Sequence, residues 1–125
     1  MNKSILFALV LFVTAPAFAA PLGSAQNFLE RAERLKAKGP LALLDSDYGR
    51  LKAEAPAAGK SIGDDRIAAQ KAGKPIQYCS PNARAELGSF EFIRGLEAIA
   101  PAELQRMTLK QAMLRVLQRK YPCRS

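Results

Sequence analysis

The chain of 125 residues contains no histidine and no tryptophan, and it has only two cysteines. Without histidine, the Ser–His and Cys–His pairs of many hydrolases are excluded, as are most zinc and haem sites. The chain also lacks the G-x-S-x-G, P-loop and H-E-x-x-H patterns. These absences predict a protein that is not an enzyme and that needs neither a cofactor nor a metal.

The remaining candidates for chemistry are paired carboxylates and a Ser–Lys combination. Asp45 with Asp47, and Asp64 with Asp65, form acidic pairs of the kind that can hydrolyse glycosidic bonds. They lie beside glycine and serine, however, which is typical of turns and helix N-caps. The spacing of Lys74 and Ser80 matches no catalytic signature. We therefore interpret these residues as structural or as recognition residues.

The first 19 residues have the three parts of a secretory signal peptide. Lys3 is followed by the apolar run Ile5 to Val13 and by the A-x-A pattern Ala17-Phe18-Ala19. The alternative is a membrane anchor, but a spanning helix needs about 20 apolar residues, and no segment reaches that length. The sequence predicts a cleaved leader over 1–19, no membrane span, and a periplasmic or secreted domain over 20–125.

The two cysteines, Cys79 and Cys123, are expected to pair outside the reducing cytosol. The alternative is two free thiols. A bridge between them would stabilise a small domain by roughly 4 kcal/mol in the chain-entropy model. It would also close a loop from residue 79 to residue 123 and so bracket the unit formed by residues 76–123.

Helical patterns dominate residues 20–125 and predict an all-α bundle of four to six helices. Ser24 is a favourable N-cap, and Gly39-Pro40 is a stop signal. Leu41, Leu44, Tyr48, Leu51 and Ala55 form an apolar stripe at helical spacing. Within this second stretch, Pro56, Gly59 and Gly63 predict a kinked helix or two shorter helices.

The C-terminal half begins with a segment that has no helical period, residues 76–88, which we interpret as an extended strand-like piece or an ordered loop. Ser89 is then predicted to cap a helix, and Pro101 to start a short turn. Thr108 and Gln111 form a capping box for the last helix, whose buried face is expected to hold Leu109, Ala112, Met113, Val116 and Leu117.

Acidic residues are scarce towards the C-terminus, where none follows Glu103. Removal of Lys3 with the leader leaves a net charge of +7, most of it in residues 74–125. A basic surface attracts nucleic acid, anionic lipid or acidic proteins. On the last helix the cations surround the apolar stripe, which is typical of a solvated surface, and no aromatic-and-basic stacking motif is present. We therefore expect no nucleic-acid partner.

Two motifs link the chain to a known family: Tyr78-Cys79-Ser80-Pro81, and a terminal Tyr121-Pro122-Cys123 after a capped helix. Residues 76–123 resemble the Rap/Tai immunity proteins, small helical periplasmic proteins that protect bacteria from amidase toxins of type VI secretion. The N-terminal half differs, because family members usually carry further cysteines there. That half is similar instead to small exported alphaproteobacterial proteins. The resemblance implies a Cys79–Cys123 disulfide and no specific inhibitory residues.

From these patterns we expect a non-enzymatic exported protein that binds a protein partner, in the manner of an immunity protein against a secreted amidase. Candidate contact residues are Asn82, Arg84 and Glu86 in the irregular loop and the acids Asp64 and Asp65, because loops on a braced scaffold often carry recognition. The alternative for the loop is a mere connection.

Two further alternatives remain. The chain could be a structural or stress protein that binds anionic cell-envelope components through its basic half, and its apolar stripes leave room for a homodimer.

Overall fold

The computed structural model describes residues 23–82 and 85–124. The predicted signal peptide lies outside these residues, as does Arg84. Within the described ranges the chain folds into five α-helices and one 3₁₀ helix, with no β-strand, which confirms the all-α prediction. The helices are α1 (Ala25–Ala37), a 3₁₀ helix (Gly39–Leu44), α2 (Ser46–Lys71), α3 (Ser89–Glu97), α4 (Pro101–Leu104) and α5 (Leu109–Lys120).

The caps of α1 and α5 are those that the sequence predicts. The Asn27 N–H donates to Ser24 Oγ at 3.1 Å at the start of α1. At the start of α5 the Gln111 N–H donates to Thr108 Oγ1, and the Thr108 N–H donates to the Gln111 side chain. The two N-termini also meet, since the Ala25 N–H donates to the Met107 carbonyl at 2.8 Å. This contact fixes α1 against the C-terminal half.

The second helix differs from the prediction in two ways. It is one continuous helix of 26 residues with Pro56 inside it, rather than two shorter helices. It also begins later, at Ser46, because the Asp45 carboxylate accepts from the Asp47 N–H and caps it there. Leu41 and Leu44, predicted to belong to its apolar stripe, lie instead in the 3₁₀ helix and are 66% and 85% exposed.

The predicted Ser89 cap is wrong. Ser89 is the first residue of α3, and Gly88 occupies the N-cap position without a side-chain hydrogen bond. The carbonyl of Gly88 instead accepts from the Phe92 N–H at 2.8 Å. As predicted, Pro101 starts the four-residue α4. The described residues of 76–88 form no strand, so of the two alternatives for this segment the strand-like piece is wrong and the loop is observed.

The core lies where α1, α3 and α5 meet. Leu96 and Leu104 are its largest fully buried side chains, and the Phe28 and Phe92 rings pack with centroids 5.8 Å apart. Helix α5 buries four of the five residues predicted for its inner face, and Leu109 is only partly buried. The long α2 is different, because only Leu51 and Ile62 of its residues are buried. The other residues of α2 are therefore exposed or only partly buried.

A charged fork ties α1 to α2. Both terminal nitrogens of Arg31 donate to the Glu54 carboxylate, at 3.0 and 2.9 Å, and Nη2 also lies 3.3 Å from Asp47 Oδ1. The hydrogen bonds to Glu54 raise the pKa of Arg31 above its ordinary value, so the guanidinium stays charged at any physiological pH. A bidentate pair fixes orientation as well as distance. Helix α2 is thereby held at one side of α1, while its middle packs on the core through Ile62.

Candidate binding groove

A groove of about 1140 Å³ separates the middle of α2 from α1 and α3. It is open to solvent along one side, and its walls are mainly carbon. Residues 48 to 70 of α2 contribute to it, which corresponds to about 33 Å of helix axis at about 1.5 Å per residue. The groove is therefore elongated along α2 rather than compact.

Large side chains form the floor and small ones form the walls. Phe28, Phe92, Met113 and Leu117 lie at the base, where the groove meets the core. On the α2 wall, a Cβ at Gly59 would lie 3.7 Å from the Met113 sulfur, and a Cβ at Gly63 would meet nothing within 4 Å. The small residues of α2 thus leave unfilled the space that larger apolar residues would occupy.

Apolar side chains are also exposed at the edge of the groove. Phe90, in the first turn of α3, is 80% exposed, and Ile67 of α2 is 51% exposed. Both line the groove. Exposed apolar surface that continues an apolar groove is typical of an interaction site rather than of scattered surface residues.

Cations predominate around the groove. Lys36, Lys52, Lys60 and Arg66 line it, against two acids, Glu33 and Asp64. Asp64 is already paired with Lys60 at 2.7 Å. Lys52 lies 5.3 Å from the Tyr48 ring centroid and, like Lys36, has no acidic partner within 4 Å in residues 23–82 and 85–124. The groove edge is therefore positive where it faces solvent.

Arg66 connects α2 to the irregular loop and is a residue that the sequence reading missed. Its guanidinium carbon lies 5.0 Å from the centroid of the buried Tyr78 ring, and Nη1 donates to Ser80 Oγ at 2.8 Å. Ser80 Oγ in turn donates to the Asn82 carbonyl at 2.8 Å. Arg66 Nε is buried and has no hydrogen-bond partner in the described part of the chain. No local sequence pattern indicates this contact, because Arg66 and Ser80 are 14 residues apart.

The loop that forms one end of the groove is held covalently and by hydrogen bonds. Cys79 and Cys123 form the predicted disulfide, and the Cys79 N–H donates to the Tyr121 carbonyl at 2.9 Å. The Tyr121 hydroxyl and Lys120 Nζ both donate to the Glu86 carbonyl, at 3.1 and 2.6 Å. Because of these bonds, Ala85 and Leu87 are placed in the groove wall.

Lys120 also pairs with Glu91 at 2.9 Å, and this hydrogen bond raises the pKa of Lys120 above its ordinary value. The pair joins the end of α5 to the first turn of α3. It thereby fixes the first turn of α3, which holds Phe90 at the groove edge.

The predicted contact residues do not form one cluster. Asp64 lies on the groove edge, whereas Asp65 points to the other side of α2 and pairs with Lys110 at 2.6 Å. Asn82 and Glu86 are exposed, and their backbone carbonyls are used within the loop. Arg84 lies outside the described residues. Of the four candidates that the structure describes, only Asp64 lines the groove.

A second, smaller cavity of about 250 Å³ lies behind α2, beside Lys74, Tyr78 and Lys110. Asp65 lines it, already paired with Lys110. Ser80 is bonded to Arg66 and Asn82 rather than to Lys74. Among residues 23–82 and 85–124 no three carboxylate or thiol side chains come together in a way that could hold a metal ion.

No described helix is both long and apolar enough to cross a bilayer. The chain matches no family model, no curated protein and no solved structure. The groove and its surroundings are therefore the basis for a functional conclusion.

Proposed function

We propose that this chain is a non-enzymatic, exported binding protein whose groove receives an apolar segment of a protein partner. The groove itself is the observation that carries the proposal. It is open, long, lined with carbon and edged by exposed Phe90 and Ile67. An exposed apolar surface of this kind does not stabilise the domain. Its burial against a partner would be favourable by roughly 25 cal/mol per Å² of apolar area.

The resemblance of residues 76–123 to immunity proteins suggests which partner to test first, a secreted amidase toxin. The Tyr-Cys-Ser-Pro motif supports this proposal, because Tyr78, Cys79 and Ser80 fasten the loop that ends the groove. In such a role the protein would hold the toxin by shape and apolar contact in the periplasm.

Isothermal titration of the purified protein with a candidate amidase tests this function. We expect binding that Gly63→Phe weakens, because a phenylalanine there would fill the groove where a Cβ meets nothing within 4 Å. Gly49→Phe is the matched control, since Gly49 lies in the same helix, is also free of contacts within 4 Å and does not line the groove. Equal loss in both variants, or in neither, would contradict binding through the groove.

The second candidate is a protein that binds anionic cell-envelope components, favoured by the cationic edge formed by Lys36, Lys52, Lys60 and Arg66. The dependence of binding affinity on salt concentration distinguishes the two functions. Binding to a polyanionic envelope should weaken steeply between low and high salt, whereas apolar contact in the groove should weaken by a few-fold at most. Titration with lipopolysaccharide or anionic vesicles over a range of salt concentrations measures this difference.

A further inference from the structure

We infer that the segment bound by the groove is an amphipathic α-helix of three to four turns with acidic residues flanking its apolar face, lying along α2. This inference rests on the proposed function and specifies the kind of partner. Three features of the groove support it: its length, its open side and the arrangement of its charges.

The length of the groove fits a helix better than a compact ligand. Small-molecule sites commonly occupy about 300–1,000 Å³. This groove exceeds that range and follows α2 from residue 48 to residue 70. A helix laid in a groove uses apolar side chains at positions i, i+3, i+4 and i+7, which repeat along the axis as this surface does. The elongated shape therefore matches a helix face.

The open side of the groove favours an amphipathic helix over an acyl chain as the bound ligand. An acyl chain is apolar all round, so a groove open to solvent along one side would leave part of the chain wet. An amphipathic helix has one apolar face to bury and one polar face to leave in water. Exposed Phe90 and Ile67 at the edges would cover the flanks of such a helix.

The cations that line the groove predict acidic residues on the bound helix, and their spacing predicts its length. Lys52, Lys60 and Arg66 follow one another along the α2 wall over 14 residues, which is about 21 Å of helix axis. A helix of the same length has three to four turns. Lys52 lacks an acidic partner within 4 Å in the described part of the chain, and so does Lys36 of α1, which also lines the groove. Carboxylates on the flanks of the bound helix would meet Lys36 and Lys52, whereas Lys60 already pairs with Asp64 and Arg66 donates to Ser80.

The test uses fluorescently labelled peptides of about 18 residues and the full purified protein, with anisotropy as the readout. The first peptide has leucines at i, i+3, i+4 and i+7 and glutamates beside them. The second has the same composition in scrambled order, and the third carries lysine in place of glutamate. We expect the scrambled peptide to bind at least about tenfold more weakly, because it loses several buried leucines. The lysine peptide should bind about three- to tenfold more weakly at low salt.

Variants of the protein locate the binding. Gly63→Phe should weaken binding of the acidic peptide at least about tenfold, while Gly49→Phe leaves it unchanged. The double variant Lys36→Glu, Lys52→Glu should reverse the preference and favour the lysine peptide. Thermal melts of each variant verify that the fold is retained, so that a loss of binding is assigned to the groove.

Three outcomes would overturn the inference. One is equal binding of the acidic and scrambled peptides, and another is competition by oleate at a lower concentration than by the peptide. The third is a concentration-dependent dimer that Gly63→Phe abolishes, which would assign the groove to a second copy of the chain. If the amidase still requires an unfilled groove while no helical peptide binds, the proposed function stands and the helical partner is rejected.

Discussion

Gly95 lies at the contact between α3 and α5. A Cβ at this position would lie 2.6 Å from Cγ1 and 2.7 Å from Cγ2 of Val116, distances that real Cβ atoms do not adopt. Val116 is buried and β-branched, so its rotamer has little freedom to move away. The absence of a side chain at Gly95 is therefore what lets the two helices pack.

We predict that Gly95→Ala lowers the free energy of unfolding by about 1–3 kcal/mol, although alanine is the better helix former. Gly49→Ala is the matched control, since its Cβ meets nothing within 4 Å, and it should raise stability by about 0.5–1 kcal/mol. Urea denaturation of both variants measures the difference. A stabilised Gly95→Ala protein would show that α3 and α5 lie further apart.

Asp45 gives the protein an acid-sensitive contact at the start of α2. Its carboxylate pairs with Lys38 and accepts from the Asp47 N–H, and the hydrogen bond with Lys38 is the main reason why the pKa of Asp45 lies below its usual 3.8. A lowered pKa in the folded state means that the ionised form is favoured by folding. This contribution is complete above the unfolded-state pKa and is lost as the pH falls through the folded-state value.

The prediction is that Asp45→Asn, which retains an N-cap but not the charge, is less stable than the native chain at neutral pH. The difference should shrink as the pH falls below about 4, where Asp45 itself becomes neutral. Urea midpoints of both proteins between pH 2 and pH 7 measure it. A difference that stays constant over this range would assign the effect to geometry rather than to charge.

At the scale of elements, the irregular loop and the end of α5 act as one fastened unit. The disulfide closes a segment with a sequence separation of 44, and Tyr121 bonds to the loop at both Cys79 and Glu86. In the chain-entropy model, closing a loop of this size restricts the unfolded chain by roughly 4 kcal/mol.

We predict that Cys123→Ser lowers the free energy of unfolding by about 2–4 kcal/mol. The double variant Cys79→Ser, Cys123→Ser should be destabilised by the same amount, because either substitution alone removes the whole bridge. Thermal melts compare the three proteins, and mass spectrometry under non-reducing conditions should show the native chain two hydrogens lighter than its reduced form. A native melting temperature in the single variant would show that the hydrogen bonds alone hold the loop.

The elements also show what a sequence can predict. The caps at Ser24 and Thr108 and the inner face of α5 follow from local patterns, and the structure has them. Leu41 and Leu44 fit the same helical period yet lie in the exposed 3₁₀ helix, because Gly39 takes a φ of 56° and ends α1 there. The apolar period continues unbroken through residues 41–55, so it does not show that Asp45 caps a new helix, α2, at Ser46.

Pro56 shows the opposite error. Proline lacks the N–H that would donate to the Lys52 carbonyl, and it commonly breaks a helix interior at a cost of about 3 kcal/mol. Here α2 continues through it, held by the Arg31–Glu54 fork before it and by buried Ile62 after it. Tertiary contacts that local propensity does not contain keep the helix in one piece.

At the scale of the whole molecule, the groove arises from residues far apart in sequence. Ala32, Gly59, Gly63 and Ala85 come from three separate segments, and each is unremarkable in its own local pattern. Only the packing of α1 and α2 against each other and against α5 brings these small residues to one surface. The predicted contact residues are acids and loop residues. Such residues do not mark a groove, which forms where small residues leave space between helices.

The groove itself is testable without any partner. We predict that the anionic apolar dye ANS binds the folded protein, because the groove offers both carbon and a cationic edge. Gly63→Phe should reduce the dye fluorescence, whereas Gly49→Phe should not. Dye fluorescence in the absence of denaturant, compared at equal protein concentration, measures this. Equal fluorescence in all three proteins would place the dye elsewhere, for example at the exposed leucines of the 3₁₀ helix.

The empty space above Gly63 has a consequence for how the protein can change over generations. In most proteins a new side chain in an apolar surface displaces neighbours and costs stability. At Gly63 an added Cβ meets no neighbour within 4 Å, and any other residue except proline replaces a poor helix former. One substitution can therefore change the depth of the groove at little cost to folding, so the shape of this surface can diverge between lineages that keep the same scaffold.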